Sequence, residues 1–394
     1  MASWLRSLVL GAAVAALSAC GSVGDYSDRV FNKYYDKIFG AAPVIKPAEL
    51  VKFTATAQAR VLWKEDAGDA GAYVFSPLVS GGAIYVASAQ GRITRYDEAS
   101  GKSTLHIDAD AKLSGGVGGN SSTVLVGTPQ GAVLAFDREG KPLWKAQLSS
   151  EVLSAPQLGG GMVVVRGGDS RIFGLDAATG ETRWIYQRQI PTLTMRTDAG
   201  VVIYHGGVFA GLPGGRLVAL ALDSGVLGWD ALVAVPKGTT ELERVTDIAG
   251  PPVIDGQQIC AAAFQGRVAC FEMARGTPLW GREISSIAGL TIEGDDLYVS
   301  DEKSAVVALD KDSGEVRWKQ EKLFGRQITA PAASGRFIVV GDYQGYVHFM
   351  SRKDGEFAVR VATDGSPIVA QPVTLDEGVL VVTQKGGVFV IAVQ

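Results

Sequence analysis

A short phrase of turn and strand residues recurs eight times along the chain, and this repeat limits the fold more than any other feature. Each copy is anchored by a glycine or serine: Gly91, Gly131, Ser170, Gly215, Gly266, Ser304, Gly345 and Gly386. Successive anchors are 40, 39, 45, 51, 38, 41 and 41 residues apart. A period near 40 with strand-like content is typical of a β-propeller, in which each repeat forms one four-stranded blade.

Each repeat contains four segments with the pattern of strands. A short apolar stretch and a β-branched run are followed by the anchor, where glycine is expected to supply the positive φ of a hairpin turn. A third strand leads through a turn with Asp and Gly to a fourth strand. That strand carries Trp144, Trp184, Trp229, Trp280 or Trp318 in five repeats, and Leu105 or Val359 in two others. We interpret these tryptophans as packing residues.

The two ends of the chain are predicted to share the last blade. The eighth repeat stops at Gln394 before any fourth strand, whereas residues 59–66 (ARVLWKED, with Trp63) have the pattern of a fourth strand without a repeat of their own. Pairing of these ends would close the ring and remove an exposed sheet edge. The sequence therefore predicts an all-β, eight-bladed β-propeller over residues 56–394, closed by an N-terminal strand that completes the last blade.

The composition argues against several other classes of protein. The net charge of −4 gives no reason to expect a nucleic-acid partner. The three histidines, at 106, 205 and 348, fall in different repeats without metal-ligand spacing, so we predict no metal site. Cys260 and Cys270 flank the turn at Gly266, where either a cross-strand disulfide or two free thiols would fit.

The N-terminus has the pattern of an export signal. An uncharged run from Leu8 to Ala19 is too short to span a bilayer but has the length of a signal-peptide core. It ends in Leu-Ser-Ala-Cys, which resembles the lipobox of bacterial lipoproteins, and that resemblance implies cleavage and lipidation at Cys20. The alternative is an ordinary signal peptide with an unmodified cysteine. We predict a signal peptide at 1–19, a lipidated cysteine and tether at 20–55, and a chain anchored to a membrane without spanning it.

Two connections between repeats are longer than the others. From the tryptophan position to the next hairpin glycine the interval is 22 residues after Trp184 and 27 after Trp229, against 14 to 19 elsewhere. Four antiparallel strands return the chain to the side where the next blade begins, so both loops are expected on one face. Long loops on a rigid scaffold often carry function, although neutral variation in loop length is the alternative.

The phrase G-x-h-x-A-h-D-x-x-T/S-G-x-x-x-W, where h is apolar, resembles the quinoprotein (PQQ-like) repeat and is clearest in residues 172–184 and 306–318. Two groups share it, the periplasmic quinoprotein dehydrogenases and the BamB family of propeller lipoproteins in the outer-membrane β-barrel assembly machinery. The lipobox, the short tether and eight repeats without a further domain resemble the BamB family over the whole chain.

This resemblance implies a non-enzymatic scaffold without a cofactor, lipid-anchored in the outer membrane and facing the periplasm. It would assist the folding and insertion of β-barrel proteins. Its implied partners are the periplasmic domains of BamA and, through BamA, the other lipoproteins of the machinery. The resemblance also suggests that unfolded outer-membrane protein clients pair with an exposed strand edge, which is a general mode of peptide recognition.

In the BamB family, a leucine-x-leucine-arginine stretch in the first long loop and acidic residues in the second contact BamA. Leu193 and Arg196 match that stretch here, and Met195 is a close apolar substitute. Asp247 matches one acidic position, but Ala249 stands where a second acid is expected. The resemblance thus implies a partner site of Leu193, Met195, Arg196 and Asp247. In the alternative, the two apolar residues are core residues and Arg196 pairs with Asp247 inside the molecule.

A PQQ-dependent dehydrogenase is the enzymatic alternative. That resemblance requires a calcium ion held near the quinone by acidic and amide side chains, often with a disulfide between adjacent cysteines. Cys260 and Cys270 are ten residues apart, and the sequence assembles no nucleophile, base and orienting group. We therefore predict no catalytic residues, with a ligand-binding propeller as a further alternative.

Overall fold

The computed structural model describes residues 46–394, and every regular element in this range is a β-strand. The strands form eight four-stranded antiparallel sheets, here called blades 1 to 8 in chain order, and the first strand, β1 (Ala59–Asp66), belongs to blade 8. Blades 1 to 4 consist of β2 (Leu78–Ser80), β3 (Ala83–Ala87), β4 (Arg92–Asp97) and β5 (Ser103–Asp108); β6 (Gly115–Gly119), β7 (Thr123–Gly127), β8 (Ala132–Asp137) and β9 (Pro142–Gln147); β10 (Gln157–Gly159), β11 (Met162–Arg166), β12 (Ile172–Asp176) and β13 (Thr182–Tyr186); and β14 (Val201–Tyr204), β15 (Gly207–Leu212), β16 (Arg216–Ala221) and β17 (Leu227–Leu232). Blades 5 to 8 consist of β18 (Val253–Asp255), β19 (Gln258–Ala262), β20 (Val268–Glu272) and β21 (Pro278–Arg282); β22 (Gly289–Glu293), β23 (Asp296–Ser300), β24 (Val306–Asp310) and β25 (Val316–Gln320); β26 (Ala332–Ser334), β27 (Phe337–Gly341), β28 (Tyr346–Ser351) and β29 (Phe357–Ala362); and β30 (Val373–Leu375), β31 (Gly378–Val382) and β32 (Gly387–Val393) together with β1.

The ring closes as the sequence predicts. Blade 8 has the order β30-β31-β32-β1, and β1 pairs antiparallel with β32 from Ala59 opposite Val393 to Asp66 opposite Gly387. The eight-bladed, all-β prediction is confirmed. Among the described residues no helix has the length and apolarity needed to cross a membrane.

The hydrophobic core is divided into eight clusters, one between each pair of neighbouring blades. Successive side chains of a strand point to opposite faces of its sheet, so an inner strand contributes to two clusters. In β11, Val163 and Val165 pack towards blade 2, whereas Met162 and Val164 pack towards blade 4. Both faces of every inner strand are therefore buried, which explains the continuous β-branched runs in the repeat.

The tryptophan and the turn glycine of the repeat meet across six of the eight seams between blades. The Trp184 indole N–H donates to the carbonyl of Leu222 in blade 4 at 2.9 Å, and its ring lies over Gly225, which has a φ of +68°. A Cβ on Gly225 would lie 2.5 Å from the ring, so the turn needs glycine for both space and backbone conformation. The six equivalent pairs are Trp63 over Gly101, Trp144 over Gly180, Trp184 over Gly225, Trp229 over Gly276, Trp280 over Gly314 and Trp318 over Gly355.

In blade 3, the aspartate of the repeat stabilises the equivalent turn, which ends at Gly180 and lies under Trp144. One carboxylate oxygen of Asp176 accepts N–H groups from Ala178 and Thr179, each at 3.0 Å, and the Thr179 hydroxyl at 3.2 Å. The hydrogen bond from Arg183, followed by those from the turn, lowers the pKa of this carboxyl. The Asp, the Thr or Ser and the Gly of the phrase thus build one turn that receives the tryptophan of the preceding blade.

Blade 5 departs from the expected hairpin geometry. Seven of the eight anchors have a positive φ, but in blade 5 it is Gln265, with φ +47°, rather than Gly266. The Gln265 side-chain amide, oriented to donate, reaches the carbonyls of Glu243 and Val245, in the connection between β17 and β18, at 2.8 and 3.2 Å. At the base of this hairpin a disulfide joins Cys260 to Cys270, which are cross-strand partners.

The chain before β1 packs against blade 7. The N–H of Ala48 donates to the carbonyl of Phe324, in the connection before blade 7, at 2.9 Å, and the Arg360 guanidinium donates to the carbonyl of Val51 at 3.2 Å. Phe53 stacks on Phe357 with ring centroids 5.4 Å apart. This segment belongs to the predicted tether at 20–55, whose last residues are thus held on the propeller. The signal peptide at 1–19, Cys20 and the tether up to residue 45 lie outside the described residues.

Candidate functional site

The two longest connections between blades lie on the same face of the ring. Residues 187–200 join β13 to β14, and residues 233–252 join β17 to β18. Both run from the outermost strand of one blade to the innermost strand of the next. They are here called the first loop and the second loop.

Asp247 in the second loop links the two loops by a side-chain hydrogen bond. One carboxylate oxygen accepts the Met195 N–H at 2.6 Å, and the other accepts the Gly214 N–H, from the β15–β16 hairpin, at 3.0 Å. Its side chain is therefore turned into the molecule, and the residue is only 2% exposed. Hydrogen bonds to a charged acceptor are among the stronger ones, so this carboxylate fixes the first loop against blade 4.

Arg196 pairs with Glu151 and not with Asp247. Its Nε and Nη2 donate to the two carboxylate oxygens at 2.9 and 2.8 Å, and the guanidinium lies 5.7 Å from the ring centre of Tyr73. The Glu151 hydrogen bonds raise the pKa of Arg196. Because the arginine side chain remains 54% exposed, its charge is presented on the surface in a fixed orientation.

The apolar residues of the first loop differ in exposure. Leu193 is 42% exposed and Met195 is partly buried. Leu193 is therefore not a core residue, and the structure brings it, Met195 and Arg196 together on one short segment. Ala249, by contrast, is buried beside the central cavity, so the second acidic position of the resemblance faces inward here.

The tip of the second loop carries a residue that sequence reasoning missed. Leu242 is 69% exposed, and it sits in a single turn closed by Thr240 and Glu243. The Glu243 carboxylate accepts the Thr240 N–H at 3.0 Å, while the Thr240 hydroxyl accepts the Glu243 N–H at 3.2 Å. This is a capping box, whose Thr-x-x-Glu spacing is readable in the sequence. Hydrogen bonds from the backbone of Thr240 and Thr239 lower the pKa of Glu243 to about 2.

A central cavity of about 650 Å³ is lined by the first strands of blades 1 to 6 and by the connections that precede blades 7 and 8. Its lining mixes apolar side chains such as Val201 and Leu290 with few ionisable groups such as Asp198. Desolvation inside the ring raises the pKa of the Asp198 carboxyl, whose side chain opens onto the cavity. Within residues 46–394 no three His, Cys, Asp or Glu side chains are grouped as metal ligands would be.

Comparison with known proteins identifies the family. A family model described as outer membrane protein assembly factor BamB matches residues 90–320. A protein of that name from Bordetella pertussis is 40% identical over 390 residues, which cover 99% of this chain and 97% of the relative. The chain belongs to the BamB family. The resemblance read from the lipobox and the repeat is thereby confirmed at the level of the family.

Solved structures agree with this assignment. The crystal structure of BamB from Moraxella catarrhalis superposes with a TM-score of 0.79 at 26% identity, covering 85% of this chain and all of that one. A quinohemoprotein alcohol dehydrogenase from Comamonas testosteroni superposes with a TM-score of 0.69 at 13% identity, covering 85% of this chain and 76% of that enzyme. At such low identity the likeness to the dehydrogenase shows a shared propeller fold alone.

Proposed function

We propose that this chain is a non-enzymatic scaffold of the outer-membrane protein assembly machinery, and that its two-loop face binds the periplasmic domains of BamA. The observation that carries the proposal is the pair of hydrogen bonds from Asp247, which fixes the first loop while Leu193 and Arg196 remain exposed on one short segment. Arginine is enriched among interface hot spots, and an exposed apolar side chain on the same segment adds area that a partner can bury. A rigid loop also loses little conformational entropy on binding.

Lipidation at Cys20 would hold the propeller at the outer membrane, facing the periplasm. Through BamA it would meet the other lipoproteins of the machinery and assist the insertion of client β-barrels. Cys20→Ser is expected to abolish incorporation of labelled fatty acid and to release the protein from membranes. Unchanged partitioning of this variant would contradict the anchor.

The partner face is tested by Leu193→Ala combined with Arg196→Ala. Loss of a hot-spot anchor costs about 2 kcal/mol or more, so capture of the purified BamA periplasmic domains should weaken at least about thirtyfold. The circular dichroism melt should hardly change, because Leu193 is exposed and surface ion pairs such as Arg196–Glu151 contribute little to stability.

The matched control is Leu143→Ala with Arg138→Ala, which removes an exposed leucine and an exposed, ion-paired arginine from blade 2. This pair should leave capture unchanged. Capture at the wild-type level by the loop variant, or its loss only together with unfolding, would show that the two loops are not the partner site.

A further inference from the structure

Blade 3 has an unusual residue at the end of its second strand. The strand registers place eight residues at one equivalent position: Ala87, Gly127, Arg166, Gly211, Ala262, Ser300, Gly341 and Val382. Seven are uncharged and six of those are no larger than serine. Arg166 is the exception, and it is only 7% exposed.

The small residues leave space for an apolar anchor from the next connection. A Cβ added at Gly127 would collide with Val152, one at Gly211 with Ile248, and one at Gly341 with Ile368. Each of these apolar side chains lies in the loop that follows its blade. Burial of that side chain against the small residue therefore holds the loop on the blade. Blade 3 is followed by the first loop. At this position the Arg166 side chain fills the space that an apolar loop residue fills in blades 2, 4 and 7.

Arg166 forms polar contacts with the first loop and with its own blade. Its Nη1 donates to the carbonyl of Ala199 at 3.1 Å, and Nη2 lies 3.5 Å from the Ser170 hydroxyl. Among the described residues Arg166 forms no salt bridge with a carboxylate, and the negative charges of Asp247 and Asp198 act on it only from further away. A buried cation without a close partner is costly, so its retention calls for a compensating role.

The space beside Arg166 is too small for a ligand. The pocket bounded by Arg166, Gly168, Met195 and Thr197 measures about 10 Å³, which is room for one water molecule at most. The guanidinium therefore serves the loop and not a bound molecule.

We infer that Arg166 is a positioning residue for the partner-binding segment of the first loop. It holds Ala199 at one end of that segment, while Asp247 holds Met195 near the middle, and together they preorganise Leu193 and Arg196. The two residues act as a unit, since the charge of Asp247 also offsets that of Arg166. Asp247 thus contributes to partner binding through the loop, because its carboxylate is buried. This inference rests on the proposed function.

The test is Arg166→Met, which keeps the length of the side chain but removes its charge and its N–H donors. Hydrogen exchange of the Met195 amide, resolved by NMR, should accelerate about tenfold or more, while strand amides such as that of Val164 stay within about twofold. Capture of the BamA periplasmic domains should weaken about tenfold. Arg166→Lys keeps a cation at the site and should give intermediate exchange, and it carries the same test if the methionine variant does not fold.

Arg326→Met is the control, because it removes another buried arginine, from the loop before blade 7. It should lower the melting temperature without altering exchange at Met195. Unchanged Met195 exchange in both Arg166 variants would overturn the inference, whatever their effect on capture. Faster exchange with unchanged capture would support the positioning role and would instead overturn the assignment of this loop to the partner.

Discussion

The tryptophan seams and the two-loop face are made by the same repeats but are held by different forces. In the seams, an indole ring covers a turn glycine and donates one hydrogen bond to the next blade, and this contact recurs six times. In the two-loop face, Asp247, Glu151 and Arg196 make charged hydrogen bonds that occur once. Repetition therefore marks the contacts that build the ring, and departure from it marks the surface that we propose for a partner.

The difference has measurable consequences. Burial of aromatic rings contributes directly to the free energy of folding, so changes in the seams should shift the melting temperature. The exposed Arg196–Glu151 pair contributes little to that free energy but fixes the geometry of a surface, and the buried hydrogen bonds of Asp247 lie beneath it. Changes in the loops should therefore alter binding more than stability.

The largest effect is expected from deleting the chain through Glu65. This removes nearly all of β1, loses the buried Trp63 and leaves β32 as an unpaired edge. Truncating a large core aromatic costs about 3–5 kcal/mol, and an open edge favours aggregation. We expect aggregation or a large fall in the thermal midpoint, measured by circular dichroism.

A chain that starts at Pro47 is the control for this deletion, since it retains β1 and the segment packed on blade 7. If the deleted chain melted at the same temperature as this control, ring closure by β1 would not be what stabilises the propeller.

A smaller effect is expected from Gly225→Ala in the seam between blades 3 and 4. The new Cβ would meet the Trp184 ring, and alanine is strained at the φ of +68°. The positive φ costs about 1–2 kcal/mol and the overpacking about 1–3 kcal/mol more. Gly256→Ala separates the two contributions, because Gly256 has a φ of +57° with no atom within 4 Å of an added Cβ. Equal loss of stability in urea unfolding of the two variants would contradict a steric role for the seam glycine.

The contrast between the two regions also explains what the sequence could reveal. The ring was predictable because one pattern is repeated, so Trp63 in residues 59–66, together with the missing fourth strand before Gln394, placed the closing strand. The first loop was found from its length and its likeness to a family motif. Glu151 and Tyr73 were not found, because they reach Arg196 from other connections and no local spacing links them. For Asp247, the sequence indicated a position but could not indicate that its carboxylate is turned inward.

The smallest effect is expected at the tip of the second loop, where the only change tested is the charge of the Glu243 carboxyl. The folded-state pKa of Glu243 is lowered to about 2 from an ordinary value of 4.5, because the ionised carboxylate accepts hydrogen bonds from Thr240 and Thr239. The capped turn is therefore fully stabilised above about pH 4.5 and loses this stabilisation as the pH falls through about 2. The amide proton shift of Thr240, followed by NMR, should titrate with a midpoint near 2, and Glu243→Gln should abolish that titration. Glu241→Gln, an exposed change in the same turn, should leave it intact. A Thr240 midpoint near 4.5 would show that the turn presenting Leu242 is not capped in solution, and the tip would then lack the fixed geometry of the rest of the face.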